Sequence, residues 1–370
     1  MSAQAKRSAA KGRSRRRHRE SEPKPVENAE AGDEQEAGDQ DDVPEDRSWA
    51  KSDALEARAA RDEFLAALRA KPWTKRVEAI EAMIDHLRDG QHLILRSTVY
   101  PGVTALVERL LAKHDKKLDV TFCPERIAEG KAMEELHTLP QIVSGRTEAA
   151  TARAAGLFGN LTDQIVTVGI EEAELAKLFT NTWRYIKFAA ANQLYMMATD
   201  YGLDYEAIRR AMTQDYPRAA DVPGAGLAAG PCLLKDTMQL AAFNNNNFML
   251  GHAAMMVNEG LPMYLVDQIE KDHDLSTMTV GLLGMAFKGE SDDIRSSLSY
   301  KLKRLLKIKA DRVLCTDPYV TVDSDLAPLD QVLEQADILV VGAPHKVYAQ
   351  ISPAVPVMDV WNILGPGVHG

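Results

Sequence analysis

The sequence predicts an α/β protein in three folded parts: a partial Rossmann-like parallel sheet, a central helical domain and a C-terminal Rossmann-like α/β domain. Three observations predict it. Up to about residue 170, short β-branched runs alternate with helical segments, the pattern of parallel strands joined by crossover helices and buried on both faces. The next hundred residues carry helical periodicity with no strand among them. From Met278 onward the alternation of apolar runs and helices resumes. The expected boundaries are a charged tail over 1–50, a truncated first sheet domain over 51–170, the helical domain over 171–275 and the last domain over 276–370.

The elements follow in order. Residues 13–19 are a basic run, residues 20–46 are acidic, and large apolar residues are almost absent up to Trp49. Nothing there offsets the entropy of ordering, so the tail is expected to be disordered. The basic run also reads as a nucleic-acid or anionic-lipid patch, but the adjacent acid competes for it. Helices are expected over 54–68, from Leu55, Ala59, Phe64 and Leu68, and over 76–88. Strands are expected at 93–95, 120–122, 142–143 and 165–168. The central helices are placed at 177–200, within a helical segment running from Glu171 to Gly202, and at 205–213, 235–244 and 253–271. Their aromatic and methionine content, including Trp183, Tyr185, Phe188, Tyr195, Met196 and Met197, reads as core or as a dimer interface. The last domain reads as strand 279–283, helix 297–307, strand 312–316, helix 329–335 and strands 338–341 and 357–360.

Chemistry concentrates in a few places. Cys232 lies in Gly230-Pro231-Cys232-Leu233-Leu234-Lys235-Asp236, downstream of Gly224 and Gly226. A glycine-lined loop there presents a thiol beside an ammonium, which favours the thiolate, with a carboxylate one turn further on to handle protons. The competing reading is a small buried hydrophobe. Lys177 and Asn181, at i and i+4, share a helical face and supply two donors for a developing oxyanion, or else a solvated polar stripe. Met285-Ala286-Phe287-Lys288, followed by Asp292-Asp293-Ile294-Arg295-Ser296-Ser297, is a basic loop between a strand and a helix N-terminus, a phosphate-binding arrangement.

In combination these motifs resemble the UDP-glucose/GDP-mannose dehydrogenases, NAD-dependent nucleotide-sugar 6-dehydrogenases of polysaccharide precursor synthesis. Ser97-Thr98-Val99-Tyr100-Pro101-Gly102 is similar to the family's Ser-Thr-Val-x-Pro-Gly loop. Cys123-Pro124-Glu125-Arg126-Ile127-Ala128-Glu129-Gly130-Lys131-Ala132 is similar to its Pro-Glu-x-x-x-Glu-Gly-x-Ala block. Asp317-Pro318-Tyr319 and Asp359-Val360-Trp361-Asn362 resemble two later elements. The resemblance runs from about Val77 to Gly370. It implies oxidation of the sugar 6-hydroxyl to an aldehyde, attack by Cys232 to form a thiohemiacetal, oxidation to a thioester and hydrolysis to the uronate, with NAD as cofactor. It further implies that Lys177 and Asn181 steady oxyanions. Asp236 and Glu125 transfer protons, and Thr98 positions the attacking water. Thr98, Glu129, Lys235 and Arg295 would lie toward NAD; Arg218, Lys288, Gly226 and Glu125 would lie toward the UDP-sugar. A homodimer through the central helix is implied as well.

Departures are equally legible. The family's Gly-x-Gly-x-x-Gly turn cradles the NAD pyrophosphate, whereas the first ninety residues hold only Gly12, Gly32, Gly38 and Gly90, at no such spacing. The NAD site is therefore expected to be incomplete. Ala229 replaces a common glycine, and Trp361 stands where arginine is frequent. Three readings stay open: a dehydrogenase, a non-catalytic remnant that binds sugar nucleotide or pairs with a full-length homologue, and a fragment or shifted frame over residues 1–75. The 370 residues, 45% hydrophobic and 26% charged, suffice for two to three domains, and a net charge of −10 argues against nucleic-acid binding by the folded part. Three scattered cysteines imply no disulfide framework and suit a cytoplasmic protein. No run suits a membrane span, and no apolar segment follows the basic start as in a secretory signal. No metal is expected.

Overall fold

The computed structural model describes residues 81–128 and 130–365. The expected tail, the helix over 54–68, the start of the helix over 76–88 and Glu129 lie outside the described residues. Residues 81–85 are helical.

In the first domain, β1 (His92–Leu95) and β2 (Asp119–Phe122) pair in parallel around α1 (Val103–Lys113). After α2 (Ala132–Thr138), β3 (Gln141–Val143) pairs in parallel with β4 (Ile165–Thr167) around α3 (Glu148–Phe158). The strands are parallel as expected, yet they form two ladders, linked by a single bridge between Thr121 and Gly145. The reason is local. The Phe122 carbonyl, which a continued ladder would use, accepts the Ser144 hydroxyl at 2.6 Å. Phe122, Ile142, Ile170 and Ala173 form one core cluster; Cys123, Val143, Ala154 and Phe158 form another.

The central domain is built on α4 (Ile170–Asp200), 31 residues without an internal glycine or proline. It starts within one residue of the helical segment expected from Glu171, and Glu171 and Glu172 in its first turn complement the helix dipole. Next comes α5 (Tyr205–Thr213), at the expected bounds, its first amides donating to the Asp204 side chain. Then α6 (Leu233–Phe243) and α7 (Met249–Ile269) lie against α4. Tyr185 and Tyr195 are buried, whereas Trp183 and Met197 are exposed.

The third domain holds β5 (Thr279–Leu283), α8 (Leu298–Lys309), β6 (Arg312–Thr316), α9 (Leu329–Gln335), β7 (Ile338–Val341) and β8 (Val357–Met358). All pairings are parallel in the order β6-β5-β7-β8. The inner strand β7 is buried throughout, which explains its unbroken Ile-Leu-Val-Val run. β8 stops at 358, short of the expected 360, because the Asp359 carboxylate accepts the amides of Trp361 and Leu364 and turns the chain.

One buried carboxylate ties the strand ends together. Asp317 accepts the amides of Met285 at 2.7 Å, Ala286 at 3.0 Å, Tyr319 at 2.8 Å and Val320 at 3.0 Å, and lies 3.1 Å from His345 Nε2. The amide of Glu290 donates to His345 Nδ1 at 3.0 Å, so the proton sits on Nε2 and donates to Asp317. Burial pushes the Asp317 carboxyl up, but His345 and the amides outweigh it and hold it down at about 2. A depressed carboxyl stabilises the fold above its unfolded pKa and loses that contribution as pH falls through its folded value. Asp317→Asn should therefore cost up to about 2 kcal/mol at pH 7. Urea melts of both proteins should converge as pH falls from about 4 toward 2.

Candidate active site

The glycine loop delivers Cys232 to the N-cap of α6, where it is exposed. The other two cysteines are buried, and burial raises both thiols, Cys315 to about 11. One turn into α6, Asp236 is fully buried. Asn181 Nδ2 donates to its Oδ2 at 2.5 Å, and Lys235 Nζ lies 2.7 Å from its Oδ1 without a directed hydrogen bond. Burial lowers the pKa of Lys177, and the charges of Asp236, Cys232 and Glu125 act against it. These groups come from three elements: Glu125 from the carboxyl end of β2, Lys177 and Asn181 from α4, and Cys232 and Asp236 from the start of α6.

Glu125 is held as a carboxylate. The amides of Arg126 and Ile127 donate to it at 2.7 and 2.8 Å, and Arg96, at the end of β1, pairs with its other oxygen. Burial pushes its carboxyl up, but the Ile127 amide and Arg96 outweigh that and bring it below the usual range. Such a group is ionised at neutral pH, the form a general base requires, while the same pairing lowers its basicity. Arg96 escaped the sequence reading; its position just past a parallel strand was the available signal.

Glu174 lies three residues before Lys177 on α4. It is buried and accepts the amides of Gly102 at 2.6 Å and Thr104 at 2.8 Å and the Thr104 hydroxyl at 2.6 Å. It thus caps α1, whose N-cap Gly102 has no side chain to do so, and fixes the Ser97–Gly102 loop to the helix that carries Lys177.

The loop from Gly224 to Cys232 runs along the third domain. A Cβ on Gly226 would fall 2.3 Å from the Trp361 ring, and one on Gly230 would fall 2.8 Å from Phe287. Lys288 Nζ stands 5.5 Å from the Phe287 centroid and 3.9 Å from where a Gly130 Cβ would be, so it reaches the Glu125–Gly130 loop. Thr98 is half-buried in the loop after β1. Other expected binders turn onto neighbours. Arg295 pairs with Asp293, Lys235 with Asp236, and Arg218 donates to the Tyr216 hydroxyl at 2.9 Å and lies over that ring. At the Trp361 end of the loop a cavity of about 550 Å³ is lined by Tyr195, Tyr205, Gly224, Ala225, Asp359 and Trp361.

A dinucleotide fits these residues poorly. The helix start that follows β1 already has its first amides taken by Glu174, and no glycine-rich strand-to-helix turn occurs in the described part of the first domain. Among the described residues no group of three or more His, Cys, Asp or Glu could hold a metal ion.

Comparison with known proteins gives the family. The UDP-glucose/GDP-mannose dehydrogenase family is matched by its NAD binding domain over 72–162, its central domain over 171–260 and its UDP binding domain over 281–366. A UDP-N-acetyl-D-mannosamine dehydrogenase of Pyrococcus horikoshii is 31% identical over 287 residues, 74% of this chain and 68% of that protein. The chain belongs to the UDP-glucose/GDP-mannose dehydrogenase family. The Methanocaldococcus jannaschii UDP-N-acetyl-D-mannosamine dehydrogenase is 31% identical over 275 residues, and the chain spans 63% of its length. Among solved structures, a UDP-D-ManNAc dehydrogenase from P. horikoshii superposes with a TM-score of 0.71 at 27% identity, covering 78% of this chain and 73% of that one. A UDP-glucose dehydrogenase from Pyrobaculum islandicum gives 0.72 at 26%, covering 79% and 72%. The family's Rossmann-type architecture and its three domains are those seen here.

Proposed function

We propose that the chain binds a UDP-hexose and acts in its oxidation at C6 to the uronate, with Cys232 as the nucleophile. The observation that supports this is Lys177, half-buried within electrostatic reach of Cys232, Asp236 and Glu125 together, with Asn181 bonded to Asp236 one turn past the exposed thiol. Cys232 adds to the C6 aldehyde, forming the C–S bond while the carbonyl pair becomes an oxyanion stabilised by Lys177 and Asn181. Glu125, kept ionised by Arg96, takes a proton from the water that later cleaves the acyl–sulfur bond, and Thr98 orients that water. The helix rise sets the scale. Leu233 packs with Tyr185 and Ala189, and Tyr195 lines the cavity, so the residue next to the thiol meets α4 roughly 9–15 Å along the helix axis from the cavity. That spacing suits a nucleotide sugar with its sugar at Cys232, its base between Trp361 and Tyr195 and its diphosphate toward Lys288.

NAD is the cofactor of the family, and its pyrophosphate cradle is not among the described residues. Calorimetric titration of the full chain should show UDP binding and NAD binding weaker by roughly a thousandfold, as expected for several missing phosphate hydrogen bonds. Absent UDP binding sinks the proposal; tight NAD binding sinks the account of the cofactor site. That no pyrophosphate cradle is among the described residues leaves room for a second reading, a sugar-nucleotide binding protein that does not turn over. Uronate formation by the purified chain with NAD rejects that reading.

The partner is a second copy of this chain. On α4, Phe179, Trp183, Leu194 and Met197, with the C-cap Tyr201, are exposed along one stripe, and on α7 Met249, Met256 and Met263 repeat every seven residues. Sedimentation at micromolar concentration should give a dimer; a strict monomer contradicts it. Among the described residues no helix is long and apolar enough to cross a membrane, and with three free cysteines we place the protein in the cytoplasm.

A further inference from the structure

We propose that Asn192 and Asn258 are positioning residues that hold the glycine loop in the shape needed by the nucleotide end of the substrate; this rests on the binding reading above. Both side chains are fully buried. Asn258 Nδ2 donates to the Tyr185 carbonyl of α4 at 3.1 Å. A carbonyl only accepts, so this contact fixes which way the Asn258 amide faces and leaves its Oδ1 to accept Asn192 Nδ2 at 2.9 Å. The Asn192 amide is fixed in turn. Its Nδ2 also donates to the Gly226 carbonyl at 3.0 Å, and its Oδ1 accepts the Gly226 amide at 2.9 Å.

One side chain thus satisfies both polar groups of a loop residue, the service a neighbouring strand gives in a sheet. The opposite side of Gly226 is closed by the Trp361 ring, which leaves no room for a Cβ. A segment carrying Gly224, Gly226 and Gly230 has much conformational freedom to lose, and ordering it before the ligand arrives removes that cost from binding. Asn192 stands fifteen positions beyond Lys177 on α4, roughly 22 Å along the helix axis. It therefore acts on the nucleotide end without touching the thiol cluster.

The test uses the full chain, with Asn192→Asp as the first variant. A carboxylate there still accepts the Gly226 amide but faces two acceptors it can no longer satisfy. In folded protein, hydrogen exchange over residues 224–230 should accelerate tenfold or more and the Kd for UDP should rise tenfold or more. Iodoacetamide labelling of Cys232 should stay within twofold, a split that general destabilisation does not produce. Asn258→Ser, which removes only the orienting partner, should give the same pattern with smaller changes, and it decides the matter if Asn192→Asp does not fold. Unchanged loop exchange, or a Kd within twofold of the wild type, overturns the inference. If the unmodified chain does not bind UDP, the functional proposal falls, and loop exchange alone decides this one.

Discussion

Cys232→Ser is expected to lower uronate formation by roughly a thousandfold, about 4 kcal/mol in barrier, in any preparation that turns over. A serine hydroxyl at the N-cap of α6 keeps the shape of the site but not the nucleophile, because no group found near it is placed to deprotonate an alcohol as readily as a thiol ionises. The same substitution has a readout that needs no turnover. Cys123 and Cys315 are 1% and 2% exposed, so iodoacetamide should label the native chain once, at Cys232, and the variant not at all until it unfolds. Full uronate production by Cys232→Ser, or first labelling at a buried cysteine, would refute the assignment. Lys177→Ala and Asn181→Ala should then affect the oxidation more than UDP binding, since their amine and amide face the thiol end of the site.

Glu174→Ala should destabilise the chain by about 3 kcal/mol, the second large effect. Three donors, the amides of Gly102 and Thr104 and the Thr104 hydroxyl, lose their acceptor inside the protein. Each buried donor left unpaired costs about 1–3 kcal/mol, offset in part because a buried carboxylate no longer has to be desolvated. Glu174→Gln keeps one acceptor oxygen and sets an NH2 against an N–H, so it should fall between wild type and Glu174→Ala. Urea unfolding measures both. A loss under about 1 kcal/mol for Glu174→Ala would mean that α1 does not depend on this cap. Because Lys177 lies one turn further along α4, the same substitution should also slow any turnover the chain shows.

Much of the fold was legible because its signals are local. The bounds of α5, β5, β6, α9 and β7 match the expectation residue for residue, since apolar runs and capping residues mark their ends. β8 stops short where the Asp359 carboxylate turns the chain, and the bounds of α6, α7 and α8 shift by one to four residues. The site was legible as a set of residue types. Lys177 has Cys232, Asp236 and Glu125 within electrostatic reach, and Asn181 bonds Asp236. Lys235 and Arg295 meet carboxylates one and two residues away, which a reading of charge alone could not separate from ligand-directed cations.

The residues that went unassigned have partners far along the chain. Glu174 meets Gly102 and Thr104 about seventy positions away, Arg96 meets Glu125 across 29, and Asn192 meets Gly226 across 34. Sequence by itself determined which segments are helices and strands, because those patterns are written within four residues of each position, and it determined the thiol, amine and carboxylate chemistry on offer. Only the tertiary structure decided which of these groups are buried and which are paired. Contacts between distant segments form when the chain closes on itself, and in a low-dielectric interior that closure fixes whether a carboxylate caps a helix, holds an arginine or stays open to a substrate.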